Sequence, residues 1–246
     1  MSSGLSVILL AIGNNPVDVA VFYFSFAAIF LIASLILFYF VSKSPFFKHH
    51  SSQADVNDDK SMPAVNHVQI VKHTWSFNLS IFLVYFVTMG FYPAIHISAE
   101  TTSKNETWQK YFLPVGAFLL YNCCDFLGRT LAAYFKWPGP SKTGGLICLT
   151  ISCLRIGFIP LLMFCNISPG NRVHTQVLFQ SDTAFLTIHA LFSLSSGYMT
   201  NINMMNAPSM VTGERGQSVA ASIMVFMLVF GLFIGACFSY LWVSLL

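Results

Sequence analysis

Six long apolar segments limit how this chain can fold, because each is long enough to cross a lipid bilayer. A membrane-spanning helix needs roughly 20 apolar residues. The six segments that reach this length cover residues 16–42, 74–98, 111–136, 143–166, 180–205 and 217–244. Helices are the expected structure, since lipid cannot hydrogen-bond a bare backbone. We therefore predict an all-α transmembrane bundle with about six complete membrane helices, in an integral, multi-pass membrane protein.

The loops between these segments predict the orientation of the chain. Residues 43–73 have low hydrophobicity and mixed charge, which predicts a loop without a packed core. The loops on that side carry seven Lys and Arg residues, against three on the opposite side. The positive-inside rule therefore places residues 43–73 in the cytoplasm. The same rule places the sequon that begins at Asn105 outside, where it is usable for glycosylation.

Two charges lie near the middle of the third apolar segment, at Asp125 and Arg129. Each costs on the order of 3 kcal/mol in the bilayer centre. They are four residues apart, so they lie on one helical face with the acid first. One interpretation is an intrahelical salt bridge that only neutralises both charges. The other is a polar patch that binds a neutral polar solute, and the two are compatible. Asn122, on an adjacent face, extends the patch with an amide.

A third intramembrane charge, Arg155, lies in the next segment. It either pairs with Asp125 across helices or reaches the cytoplasmic headgroups, so we expect a gating or structural role. Small residues indicate where helices approach closely; these are Gly128, Gly231 and Gly235. Prolines indicate where helices are interrupted or kinked; these are Pro93, Pro114, Pro160 and Pro208.

Several function classes lack support in the sequence. Asp125 has no second intramembrane aspartate beside it for proteolysis, and no HExxH, GxSxG or P-loop motif occurs. The six cysteines lie in or beside apolar segments, without the CxxC spacing of a zinc site. We therefore expect no enzyme, no cofactor and no metal. A net charge of +3 is too small to argue for nucleic acid as a partner.

Several motifs occur in a specific order. They are WQKYFLPV at 108–115, YNCCDFLGRTL at 121–131, WPG at 137–139, RIGFIPLL at 155–162, CN at 165–166, SGY at 196–198 and GLFIG at 231–235. With these motifs, most of residues 68–246 resembles the C-terminal part of an equilibrative nucleoside transporter.

The resemblance implies a fold related to the major facilitator class, with eleven membrane helices. Residues 1–42 would be the end of the fifth helix and the whole sixth, residues 43–73 the central cytoplasmic loop, and residues 74–246 a C-terminal five-helix bundle. The N-terminal half of the fold would be missing.

The resemblance also implies facilitative transport of nucleosides, some nucleobases and analogues by alternating access. We expect the protein to lie in the plasma membrane. Asp125 and Arg129 would grip the ribose, and Asn122, Phe118 and Tyr92 would line the cavity. The expected partners are nucleosides, the lipid bilayer, and a full-length transporter or N-terminal half. A second hypothesis is a truncated non-transporting isoform or a regulatory subunit, and a third is a receptor of another class.

Overall fold

A computed structural model of the protein describes residues 16–45, 47, 66–92, 99–167 and 177–244. These residues are mostly helical, which confirms the predicted all-α transmembrane class. The chain divides into two units, residues 1–65 and 66–246. The helices are α1 (Pro16–Lys43), α2 (His67–Phe91), α3 (Glu106–Tyr111), α4 (Leu120–Tyr134), α5 (Lys142–Leu154), α6 (Phe158–Met163), α7 (Asp182–Ser209) and α8 (Glu214–Ser244).

The first unit contains α1, which is apolar around its whole circumference. Its side chains from Phe24 to Val41 are largely hydrophobic and exposed, with no polar face. A helix of this kind is suited to contact with lipid or with other apolar helices. Most of the predicted cytoplasmic loop at 43–73 lies outside the described residues.

Five stretches of the described chain are helical, long and apolar enough to cross a membrane. They are Phe24–Lys43, His67–Phe91, Glu106–Tyr134, Lys142–Met163 and Glu214–Ser239. The remaining predicted membrane segment forms α7, which has 28 residues but is more polar than the other five. Its polarity has a structural reason, because α7 packs against α2, α4 and α8. Several of its serines, threonines and asparagines are therefore buried in the bundle, namely Ser193, Ser196, Thr200, Asn203 and Asn206.

Helix α2 begins before the position that hydropathy predicts. Its first residue is His67, whereas the apolar segment begins at residue 74. The Asn66 side chain caps the helix by accepting a hydrogen bond from the backbone N–H of Gln69. Polar residues after this cap can therefore be helical without being buried in lipid. The end of the predicted segment, with Pro93, lies outside the described residues.

Two of the predicted interruptions occur at prolines. Residues Phe112–Leu119, which contain Pro114, form a π-helical segment that joins α3 to α4. Helix α5 ends in a 3-10 turn, Arg155–Gly157, and α6 follows with Pro160 inside it. Proline has no N–H to donate to the preceding turn, so the regular helical pattern changes nearby. The fourth proline, Pro208, lies in the last turn of α7.

Glycines allow two pairs of helices to approach until their backbones are close. A Cβ atom added at Gly231 or Gly235 of α8 would lie 2.6 or 2.7 Å from a backbone oxygen of α2. A Cβ at Gly128 of α4 would collide with the backbone oxygen of Leu194 in α7. The prediction that these three glycines permit close approach is therefore confirmed. Helix α7 contributes a glycine of its own, Gly197, which lies against the backbone of Asp125.

We expect Gly197→Ala to destabilise the protein, because the added methyl group collides with the backbone oxygen of Asp125. Such overpacking should lower the free energy of unfolding by about 1–3 kcal/mol. Thermal unfolding in detergent measures the effect. The matched control is Gly157→Ala, since a Cβ at Gly157 has nothing within 4 Å. Equal melting temperatures for the two variants would contradict close packing of α4 on α7.

Candidate functional site

The predicted site residues of the third apolar segment lie along one continuous helical stretch. Phe118 is in the π-helical segment, and Asn122, Asp125 and Arg129 follow in α4. Their spacings of four, three and four residues place them on neighbouring positions of one side of the helix. A π-helical turn is wider than an α-helical turn. The π-helical segment therefore rotates Phe118 relative to the position that it would have in a continuous α-helix.

Asp125 and Arg129 form the predicted intrahelical ion pair. The Nε atom of Arg129 donates to Oδ2 of Asp125 over 2.8 Å. The Arg129 side chain is 44% exposed and that of Asp125 is 16% exposed. The pair is therefore not enclosed by the described bundle. A guanidinium has five N–H donors, so this single bond leaves other donors of Arg129 available.

A tyrosine of α2 also reaches this pair. Nη2 of Arg129 donates to the hydroxyl oxygen of Tyr85 over 3.4 Å. The aromatic body of Tyr85 packs against a buried cluster that includes Phe77, Ile81 and Met199. The sequence interpretation missed this residue, although its phenol is one of few polar groups in an apolar stretch of α2.

Tyr92 and Phe118, predicted separately, lie together. Their ring centroids are 6.0 Å apart in an edge-on arrangement. The Tyr92 ring also stacks on Tyr121 of α4, with centroids 4.2 Å apart and planes 9° apart. Asn122 is nearby, and its Nδ2 donates to the backbone oxygen of Phe118 over 2.8 Å. The structure thus places an aromatic group at the end of α2 beside the first half of the α4 face.

Arg155 adopts neither of the two arrangements that the sequence suggested. It is buried, with 1% exposure, rather than extended towards headgroups. It donates from Nη1 to Ser195 Oγ over 3.1 Å and from Nη2 to Thr88 Oγ1 over 3.0 Å. Its guanidinium carbon lies 4.9 Å from the centre of the Phe192 ring. Among the described residues, no carboxylate lies within ion-pair distance of Arg155, so a direct pair with Asp125 does not form.

The hydroxyl groups around Arg155 link three helices. Thr88 of α2 donates to its own helix at the Val84 oxygen, and its hydroxyl lies 3.3 Å from that of Ser196 in α7. The Tyr121 hydroxyl of α4 donates to Ser196 over 3.5 Å. A chain of hydroxyl groups therefore runs from the buried Arg155 to α4, one turn before Asp125.

Helix α7 holds the end of α4 through polar side chains that the sequence interpretation did not select. Asn201 donates from Nδ2 to the backbone oxygen of Arg129 over 2.8 Å. The Tyr198 hydroxyl lies 2.7 Å from the Phe135 oxygen and 2.6 Å from the Trp137 oxygen. Asn206 donates to the Pro138 oxygen over 2.6 Å. Polar residues in an otherwise apolar segment were the available signal, but their partners depend on tertiary packing.

Asn105, the predicted glycosylation residue, lies at the start of α3 and is exposed. Its side-chain oxygen accepts hydrogen bonds from the backbone N–H groups of Thr107 and Trp108, at 3.0 and 3.4 Å. This capping uses Oδ1, whereas a glycan is attached to Nδ2. The local structure is therefore compatible with modification.

Known proteins resemble this chain over most of its length. The nucleoside transporter family matches residues 2–244. Human equilibrative nucleoside transporter 2 is 34% identical over 199 residues, which are 81% of this chain and 42% of that transporter. Human equilibrative nucleoside transporter 1 is 34% identical over 78% of this chain and 40% of its own length. Rat equilibrative nucleoside transporter 3 is 27% identical over 98% of this chain and 55% of its own length.

The chain therefore spans 40–55% of the length of these three curated relatives. The matched family consists of transporters and not of enzymes. Together with the five helices that are suited to a bilayer, the match identifies an integral, multi-pass membrane protein, and the chain belongs to the nucleoside transporter family.

Proposed function

We propose that the chain takes part in facilitative transport of nucleosides across a membrane, with Asp125 and Arg129 gripping the ribose. The observation that carries this proposal is an aspartate and an arginine, paired at 2.8 Å on a membrane helix, whose side chains stay partly exposed. A pair that served only to neutralise two charges would be expected to be enclosed. Three relatives named as equilibrative nucleoside transporters support the same substrate class.

The chemistry of the pair suits a sugar that carries neighbouring hydroxyl groups. A carboxylate accepts hydrogen bonds from hydroxyl protons, and a guanidinium donates to hydroxyl oxygens. Hydrogen bonds to charged groups are stronger than those between neutral groups. We further propose that Tyr92 and Phe118 provide aromatic surface beside the nucleobase, and that Asn122 adds an amide. Nucleoside analogues that keep the hydroxyl groups would use the same contacts, whereas a nucleobase, which lacks the ribose, would use only the aromatic surface and the amide.

Alternating access requires two bundles that move around a central site. Because the chain spans 40–55% of the length of its relatives, we propose that a full-length transporter or a separate N-terminal half completes the cavity. The alternative is a non-transporting isoform or regulatory subunit that uses the same surfaces to bind such a partner. We place the protein in the plasma membrane.

We expect Arg129→Ala to reduce uridine uptake roughly 100-fold, because lost charge-assisted hydrogen bonds are worth about 3 kcal/mol. Uptake is measured in cells without endogenous nucleoside transport, with the chain expressed alone and with the N-terminal half of human equilibrative nucleoside transporter 2. Arg215→Ala at the start of α8 is the matched control. Surface labelling should show equal amounts of both variants, since Arg129 is partly exposed.

The outcome separates the two hypotheses. Uptake by the unaltered chain in either setting supports transport, and unchanged uptake by Arg129→Ala would contradict the ribose role. If the chain reaches the surface and no setting gives uptake, the non-transporting alternative is favoured.

For Arg155 we propose a gating role. Its partners Thr88 and Ser195 also donate to carbonyl oxygens of their own helices, so they stay hydrogen-bonded without it. A buried charge that lacks a carboxylate is expensive, and its replacement by an apolar residue of similar size is often neutral. This makes a purely structural role a weak reason for an arginine at this position.

We therefore expect Arg155→Met to keep its melting temperature and to reduce uridine uptake on the order of tenfold, about 1.4 kcal/mol. Arg155→Lys, which keeps the charge, should retain more uptake than Arg155→Met. Thermal unfolding and uptake are measured on the same preparations. A large fall in melting temperature that accounts for the lost uptake would instead indicate a structural brace.

We also propose that Asn105 carries an N-linked glycan. Digestion with peptide N-glycosidase F should increase the electrophoretic mobility of the protein made in mammalian cells, and Asn105→Gln should remove this shift. Asn166→Gln is the matched control, because residues 166–168 form a second sequon, which we expect to lie too close to the membrane for glycosylation. A shift that persists in Asn105→Gln would rule out this acceptor and weaken the proposed orientation.

A further inference from the structure

The geometry points to Tyr85 as a third member of the Asp125–Arg129 site, one that positions Arg129 and discriminates between ribose and deoxyribose. This inference rests on the proposed function and extends it to a residue on a second helix. Its basis is the contact from Nη2 of Arg129 to the Tyr85 hydroxyl, at 3.4 Å.

Arg129 is held from two directions. Asp125 accepts from Nε within α4, and Tyr85 accepts from Nη2 across the space between α4 and α2. The two bonds engage different nitrogens of a planar group, so together they limit its rotation. Asn201 of α7 adds a third constraint, because it binds the backbone oxygen of the same residue. A guanidinium fixed in this way loses less conformational entropy when it binds a ligand.

The hydroxyl of Tyr85 can also donate a hydrogen bond. A phenol both accepts and donates, and in the contact with Arg129 its oxygen is the acceptor. Within the described ranges, no group accepts the Tyr85 proton. The side chain is also only half-buried, so this proton is available to a ligand at the Arg129 guanidinium.

The ring of Tyr85 is anchored independently of its hydroxyl. It packs against the buried cluster that contains Phe77, Ile81 and Met199. Removal of the hydroxyl alone therefore leaves the ring packing in place. The packed ring holds the Tyr85 hydroxyl in position, and a hydroxyl held in this way is suited to selecting between closely related ligands.

The three groups complement a pair of neighbouring hydroxyls. Asp125 accepts protons, Arg129 donates, and Tyr85 donates to a hydroxyl oxygen. A sugar that lacks one of the two hydroxyls leaves one of these groups without its ligand partner. Sites that hydrogen-bond a substrate hydroxyl discriminate against the analogue that lacks it, because their own polar groups are then unpaired.

The test compares uptake of labelled uridine with inhibition by 2′-deoxyuridine and 3′-deoxyuridine. For Tyr85→Phe we expect the KM for uridine to rise about fivefold, as for loss of one neutral hydrogen bond. The inhibition constant of at least one of the two deoxyuridines should change less than about twofold, because that analogue lacks the hydroxyl that Tyr85 would bind. The matched control is Tyr134→Phe, the same chemical change at a side chain that is 80% exposed. It should leave all three values unchanged.

The outcomes separate this inference from the proposed function. The inference is wrong, and Tyr85 is structural, if uridine uptake is present and Tyr85→Phe changes the KM for uridine and the inhibition constants of both deoxyuridines by the same factor. Unchanged values for Tyr85→Phe overturn it as well. If the unaltered chain takes up no uridine alone or with an N-terminal half, the proposed function fails first and the inference falls with it. A change in selectivity with an unchanged melting temperature supports both.

Discussion

Close contact between the backbones of α4 and α7 sets the position of the candidate site. Gly197 lies against the backbone of Asp125, and Gly128 lies against that of Leu194. Any larger side chain at either glycine would push the two helices apart. Because Asp125 is itself at the point of contact, its carboxylate and the arginine one turn later are held at a fixed distance from α7. The position of the ion pair relative to α7 thus depends on these two glycines.

The two intramembrane arginines differ in a way that suggests different roles. Arg129 is partly exposed and paired with a carboxylate, so its unused donors are available to a ligand. Arg155 is enclosed by hydroxyl groups and an aromatic ring, which stabilise a charge without cancelling it. Its two printed hydrogen-bond partners, Thr88 and Ser195, lie on α2 and α7, so it joins these helices rather than extending the Asp125–Arg129 pair.

Part of this arrangement could be predicted from the sequence. The apolar segments, the Asp125–Arg129 pair and the glycines of α4 and α8 follow from composition and helical spacing, which are local properties. The partners of Arg155 could not be predicted, because Thr88 and Ser195 come from helices that are distant in sequence. Hydropathy also treated α7 as one more membrane segment, whereas several of its polar residues contact other helices. The roles of Asn201 and Tyr85 depend on the same tertiary packing.

Helix α2 connects the separate parts of the site. Tyr85 and Thr88 are three residues apart in α2, so they lie on one helical face, and Tyr92 directly follows the helix. They contact, in order, Arg129, Arg155 and the stacked Tyr121. The same helix is held against α8 at Gly231 and Gly235, where the backbones approach closely. A shift of α2 along its axis would therefore change the surroundings of both arginines and of the aromatic group at once. The two arginines and the aromatic group therefore share one support, helix α2.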